Sequence, residues 1–358
     1  MKSAKKIALT ILKIGLTFGL LAWLILRDTD TLGEIKSALL MALESPHYLL
    51  LAFAATGGAV LCGCIRWNMI LKTQKIILSL KETTQLFLIG HFFNSVMPGA
   101  VGGDVIKAVY TARVTKTRKT EAVTSIVIDR TIGLFALLLL ISVMIAFKLS
   151  VYMEGELTAK ILPFLCLFCL GAVAGIIILF SKNLFTLLPF LDRWQQKVTL
   201  IGILKRVYDA FYVCRSHPGI LLKATALSVM AHIMTVTAAY FAGCAVQLNV
   251  AWMDFLIFFP IIAAVRSIPL FPGGLGIGEM AAAEIFADRG AAKSISISMS
   301  FVYFGILLVW SLVGGIVFMM YTSRGGSSIK EELQSLKDTS ADSDEEENSG
   351  NLGSNLSG

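Results

Sequence analysis

Two stretches combine helix breakers with a carboxylate inside apolar sequence, and there the chain has the means to hold a polar ligand. In HFFNSVMPGAVGGD, residues 91–104, a helix-like lead-in meets Pro98, passes Gly99, Gly102 and Gly103, and reaches Asp104 before the apolar pattern resumes. In IPLFPGGLGIGE, residues 268–279, Pro269 and Pro272 precede Gly273, Gly274, Gly276 and Gly278, and Glu279 follows. The prolines need no role beyond breaking the helix. Irregular backbone at membrane depth survives only where protein or water satisfies its polar groups, so both turns are expected to line a polar cavity. The half-helices that restart after Asp104 and Glu279 offer free N–H groups and positive dipole ends, which suit an anion such as a phosphate head group. Alternatively, each carboxylate caps its own helix terminus. The two readings stand level for Asp104, while the extra glycines around Glu279 leave room for a ligand.

Arg130 and Arg266 lie inside apolar runs, and Asp129 adjoins the first. An unpaired ionisable group there costs about 3 kcal/mol or more, so each is expected to face the protein interior or a cavity. One reading pairs Arg130 or Arg266 with Asp104, Asp129 or Glu279. The other has an arginine receive a lipid phosphate through two parallel donors. The readings are compatible if a pair opens on substrate entry, and Asp129 is read as a pairing residue alone. Asn94, four residues before Pro98, either orients a head group or bonds backbone freed at the break. His91 is read as a buried polar packing residue and not a proton carrier.

The elements that must position these residues follow from composition. The 358 residues are 56% hydrophobic and 15% charged, with apolar residues in long blocks. That composition describes a polytopic membrane protein and excludes a soluble globule. The predicted fold is all-α, with about six full transmembrane helices plus two re-entrant helical hairpins. The spans are residues 7–26, 47–64, 122–147, 161–180, 220–246 and 295–321, with 148–160 an external loop. The first hairpin is too short to cross twice and is flanked by basic residues on both sides, including Lys72, Lys81, Lys107 and Arg113. By the positive-inside rule it therefore enters from the cytoplasm. The second, about residues 255–287, follows a segment without basic residues and enters from outside.

Helix, hairpin, helix over residues 47–147 thus recurs inverted over 220–321, an arrangement secondary transporters use to build two related gates. Residues 1–321 form the membrane domain, with an amphipathic interfacial segment at about 182–217. Residues 322–358 carry three basic and eight acidic side chains, a net −5, and read as a disordered cytoplasmic tail. The N-terminus is also expected in the cytoplasm.

Nothing in the sequence supports ordinary enzymology: it holds no GK[ST] phosphate loop, zinc-ligand spacing or nucleophile elbow. No cofactor, metal or nucleic-acid partner is expected. Cys166 and Cys169 lie in FLCLFCLGAVAG without nearby His or acids and read as small helix-packing residues. Ser294 with Ser298, and Ser296 with Ser300, form small polar faces that suit helix packing.

The stretches FFNSVMPGAVGGDVIKA, IDRTIGL and VRSIPLFPGGLGIGE, in this order, resemble the lysylphosphatidylglycerol synthase transmembrane family, across about residues 5–321. The resemblance implies a lipid flippase. Its matching residues are Asn94, Pro98, Gly102, Gly103, Asp104, Arg130, Arg266, Pro272, Gly273, Gly274, Gly276 and Glu279. Only an acidic tail follows Tyr321 where that family's larger members carry a lysine-loading synthase domain, so aminoacyl transfer is not expected. The expected activity is translocation of a lipid with an anionic or zwitterionic head group across a bacterial inner membrane. The expected substrate-binding set is Asn94, Gly102, Gly103, Asp104, Arg130, Arg266, Gly273, Gly274, Gly276 and Glu279. The competing expectation is a non-transporting membrane partner that holds lipid for a separate synthase or glycosyltransferase.

Overall fold

The computed structural model describes residues 29–96, 102–115, 118–180, 218–266 and 276–322. Ten α-helices and no strands are found among them: α1 (Thr29–Glu44), α2 (Pro46–Thr73), α3 (Leu80–Val96), α4 (Gly102–Thr115), α5 (Lys119–Glu154), α6 (Glu156–Phe180), α7 (Pro218–Ala245), α8 (Trp252–Arg266), α9 (Ile277–Ala287) and α10 (Lys293–Thr322). By length and apolarity α2, α5, α7 and α10 can each cross a membrane. The chain is therefore a multi-pass membrane protein, all-helical in its regular structure among the described residues. The expected first span, the amphipathic segment and the tail beyond Thr322 lie outside the described residues. So do Pro98, Pro269, Pro272, Gly273 and Gly274. Residues 315–358 form a second unit, of which only the end of α10 is described.

Several expected boundaries are corrected. The second span does not stop near Cys64 but runs to Thr73, because hydropathy marks only the apolar part of a helix that continues past it. The third runs on to Glu154 across a non-helical residue, Lys148 (φ −133°, ψ 33°). The expected external loop at 148–160 is thus mostly helical, broken at Gly155 (φ −86°, ψ 139°). The charged segment after Arg27 also folds, as α1. Ile35, Ala38 and Ala42 recur on one face of it, and Ile35 packs in a cluster with Ala283 of α9 and Ile297 of α10.

The central pair is α2 with α7. Tyr48 meets Phe241, Gly58 faces Met234, Arg66 reaches Ser228 and Ile70 clusters with Ala224, so the two helices run antiparallel. Their facing surfaces bury Ala52 and Ala55 on one side and Ala238, Ala239, Ala242 and Ala245 on the other. Small side chains let helix backbones approach closely, which is how helices associate where lipid tails are as apolar as the interface.

Two helical hairpins pack against this frame. In the first, α3 and α4 are antiparallel: Asn94 meets Gly103 and Gly90 abuts Lys107. At its entry, Asn68 of α2 donates to the Leu78 carbonyl at 3.1 Å and to Thr83 Oγ1 at 2.7 Å. At its exit, Arg118 donates to the Gln74 carbonyl at 3.5 Å. A capping box starts α3: Glu82 accepts from the Ser79 N–H at 2.8 Å and the Glu82 N–H donates to Ser79 Oγ at 3.2 Å. In the second hairpin, α8 and α9 are antiparallel, with Phe255 against Phe286 and Arg266 against Glu279. Its open end lies beside the C-terminal ends of α7 and α5. Tyr240 stacks edge-on to Phe255, Tyr152 Oη donates to the Ile257 carbonyl at 2.9 Å, and Arg289 pairs with Glu154 and Asp254 at 3.0 and 3.4 Å. Since α7 ends opposite the start of α2, the two hairpins open toward opposite ends of α2, a helix about 40 Å long.

Candidate functional site

Each hairpin ties an arginine to its own carboxylate. In the first, Asp104 stands in the opening turn of α4 and Arg130 Nε, on α5, donates to its Oδ2 at 2.7 Å. Neither Nη of Arg130 has a partner among the described residues, and its side chain is 53% exposed against 12% for Asp104. Asn94 Oδ1 accepts the Gly103 N–H at 2.9 Å. Of the two readings for Asn94, the geometry supports the bond to backbone freed at the break. Gly103 has no room for a side chain, because a Cβ there would run into the Gly90 carbonyl and the Asn94 amide. Gly102 opens α4 beside it.

In the second hairpin Glu279 is completely buried. Its Oε1 accepts from Arg266 Nη2 at 2.8 Å and its Oε2 from the Gly276 N–H at 2.6 Å. Capping and ion pairing therefore occur on one carboxylate, with no oxygen left over. Gly276 has φ +89°, a backbone conformation that favours glycine. Gly278 lets the guanidinium lie directly on the α9 backbone, as a Cβ there would strike Arg266 Nε. Arg266 also stacks 5.8 Å over the Tyr303 ring of α10, while its Nε and Nη1 are buried without a hydrogen-bond partner among the described residues.

Asp129 pairs with neither Arg130 nor Arg266. Its two oxygens accept from Nε and Nη2 of Arg66 at 2.8 and 3.0 Å, and Arg66 Nη1 donates to Ser228 Oγ at 2.8 Å. This fork joins α2, α5 and α7, so Asp129 has the pairing role expected of it with a partner the sequence reading missed. Arg66 lies just past the expected end of the 47–64 span, but α2 continues two turns beyond it.

Lys107 was missed in the same way. Expected on the cytoplasmic exit of the first hairpin, it is instead buried, with Nζ 4.4 Å from the Trp67 ring centroid, 4.7 Å from that of Phe87 and 4.0 Å from Asp104 Oδ1. Its spacing of three from Asp104 on one helix was the available signal. His91 Nε2 is buried without a hydrogen-bond partner among the described residues.

These features define a class: a polytopic helical membrane protein with two broken-helix hairpins that open at opposite ends and carry buried or half-buried ion pairs. The sequence matches the family described as lysylphosphatidylglycerol synthase TM region over residues 10–315, and the chain belongs to that family. It is also similar to a UPF0104 membrane protein of Pyrococcus horikoshii, 23% identical over 88% of this chain and 97% of the relative. Two UPF0104 membrane proteins of Methanothermobacter thermautotrophicus match at 22% over 84% of this chain and 91% of the relative, and at 23% over 74% and 81%.

Proposed function

We propose that the chain is a lipid translocase of the bacterial inner membrane, moving a phospholipid-type or isoprenoid-type lipid between leaflets without chemical change. In this reading six helices span the bilayer and the two hairpins are re-entrant, within inverted repeats over residues 47–147 and 220–321. The N-terminus and the acidic tail face the cytoplasm. The head group passes between Asp104–Arg130 and Glu279–Arg266 while its tails stay in lipid.

The observation that carries this reading is the opposed opening of the two hairpins, each with an arginine on its carboxylate and with donors that have no partner among the described residues. A head group received on the remaining donors of an arginine adds to the ion pair instead of replacing it, so neither the arginine nor its carboxylate is left bare.

The test is movement of fluorescent short-chain phospholipids in proteoliposomes, read by dithionite quenching. Arg130→Ala is the informative variant because its half-exposed side chain is dispensable for packing. Loss of a charge-assisted contact of about 1.5–3 kcal/mol slows transport by about tenfold or more. Wild-type protein no faster than empty vesicles, or Arg130→Ala at the wild-type rate, overturns the proposal.

A further inference from the structure

Charge at the two hairpins is unequal. At the second, Glu279 and Arg266 cancel, and both carboxylate oxygens are used. Arg66 and Asp129 likewise cancel through a two-point fork. At the first hairpin one carboxylate, Asp104, faces two cations: Arg130 at 2.7 Å and Lys107 at 4.0 Å. Lys107 lies over the faces of Trp67 and Phe87, an arrangement in which the rings attract a cation. The first hairpin therefore holds one positive charge in excess, beside an arginine whose two Nη groups are free among the described residues. Among the described residues these ion pairs offer no free carboxylate to a cationic head group. Asp129 and Glu279 have both oxygens bonded, and Asp104 has one oxygen on Arg130 and the other buried facing Lys107.

Resting on the translocase reading above, we propose that the first hairpin selects lipids whose head group carries a net negative charge. The Arg130 Nη pair receives the phosphate and Lys107 sets the selectivity. A zwitterionic head group brings its own cation toward the excess charge and is disfavoured, and an aminoacylated, net-positive head group more so.

The test separates binding from movement. Full-length protein in detergent, offered equimolar phosphatidylglycerol, phosphatidylcholine and lysyl-phosphatidylglycerol, is read by native mass spectrometry. Phosphatidylglycerol is expected to be retained about tenfold over each of the others. Lys107→Met and Arg130→Gln are expected to reduce the preference to about threefold or less, and Lys107→Arg to keep it. Should Lys107→Met fail to fold, the exposed Arg130→Gln and the charge-conserving Lys107→Arg carry the test. Equal retention of the three lipids by wild-type protein, or a preference unchanged in Arg130→Gln, overturns the inference. Displacement of phosphatidylglycerol by inorganic phosphate would assign the site to a soluble anion and overturn it as well. Selective binding without lipid movement in vesicles leaves the inference standing and removes the translocase reading instead.

Discussion

Replacing Glu279 by glutamine tests whether the second hairpin is held by its own ion pair. The wild-type carboxylate satisfies two donors, Arg266 Nη2 at 2.8 Å and the Gly276 N–H at 2.6 Å, from a fully buried position. A glutamine has one acceptor oxygen, so one of these donors is stranded against an amide NH2. Arg266, only 12% exposed and with Nε and Nη1 already lacking a hydrogen-bond partner among the described residues, then loses the carboxylate that offsets its charge. Breaking one side of a buried pair costs about 3–5 kcal/mol. In the double variant Arg266→Met with Glu279→Gln the charge is gone, and the glutamine oxygen can still accept the Gly276 N–H. The double should lose only about 1 kcal/mol, close to the worth of one imperfect hydrogen bond. Arg266→Met alone strands the buried Glu279 carboxylate and should also cost about 3–5 kcal/mol, so the singles sum to about 6–10 kcal/mol against about 1 for the double. The coupling is therefore about 5 kcal/mol or more, far above the few tenths expected of independent sites. Reversible unfolding in mixed micelles, followed by tryptophan fluorescence, measures all three variants. A Glu279→Gln protein as stable as wild type, or a double variant that loses the sum of the singles, would refute this account of the hairpin.

Two further outcomes follow from other contacts. Asp129→Asn should lose about 3–5 kcal/mol in reversible unfolding and Arg66→Met with Asp129→Leu much less, because the fork joins α2, α5 and α7 and the double variant leaves neither charge bare. The Ser79 hydroxyl and N–H hold the Glu82 carboxyl below its ordinary range, so its share of stability is present at neutral pH and fades as pH falls through that range. Hydrogen exchange at the start of α3 should accordingly quicken below about pH 4, and Glu82→Gln should abolish that pH dependence.

Which parts of the site were legible depended on how conspicuous each charge was. Arg130, Arg266, Asp129 and Glu279 stand inside apolar runs, where an ionisable side chain demands a partner, and each has one. For Glu279 and Asn94 the sequence offers a ligand role beside capping or backbone bonding, and only the geometry shows that Glu279 caps its helix and Asn94 bonds backbone. Arg66 and Lys107 escaped notice because basic residues near span ends ordinarily flank the membrane, and a four-carbon stem can reach either the interface or two aromatic rings. Helix order was readable from hydropathy. Helix ends were not, since α2 and α5 keep their hydrogen bonding well past the last apolar turn, and α1 hides Ile35, Ala38 and Ala42 among charges.

The central claim is that two hairpins enter one bilayer from opposite faces. Single cysteines at Lys81 and Arg113 mark the open end of the first, and cysteines at Asp254 and Arg289 that of the second. They are introduced after replacing the six native cysteines and labelled in intact cells with a membrane-impermeant maleimide. The account predicts that the second pair reacts from outside while the first reacts only after the membrane is opened. Labelling of both pairs from the same face would contradict it.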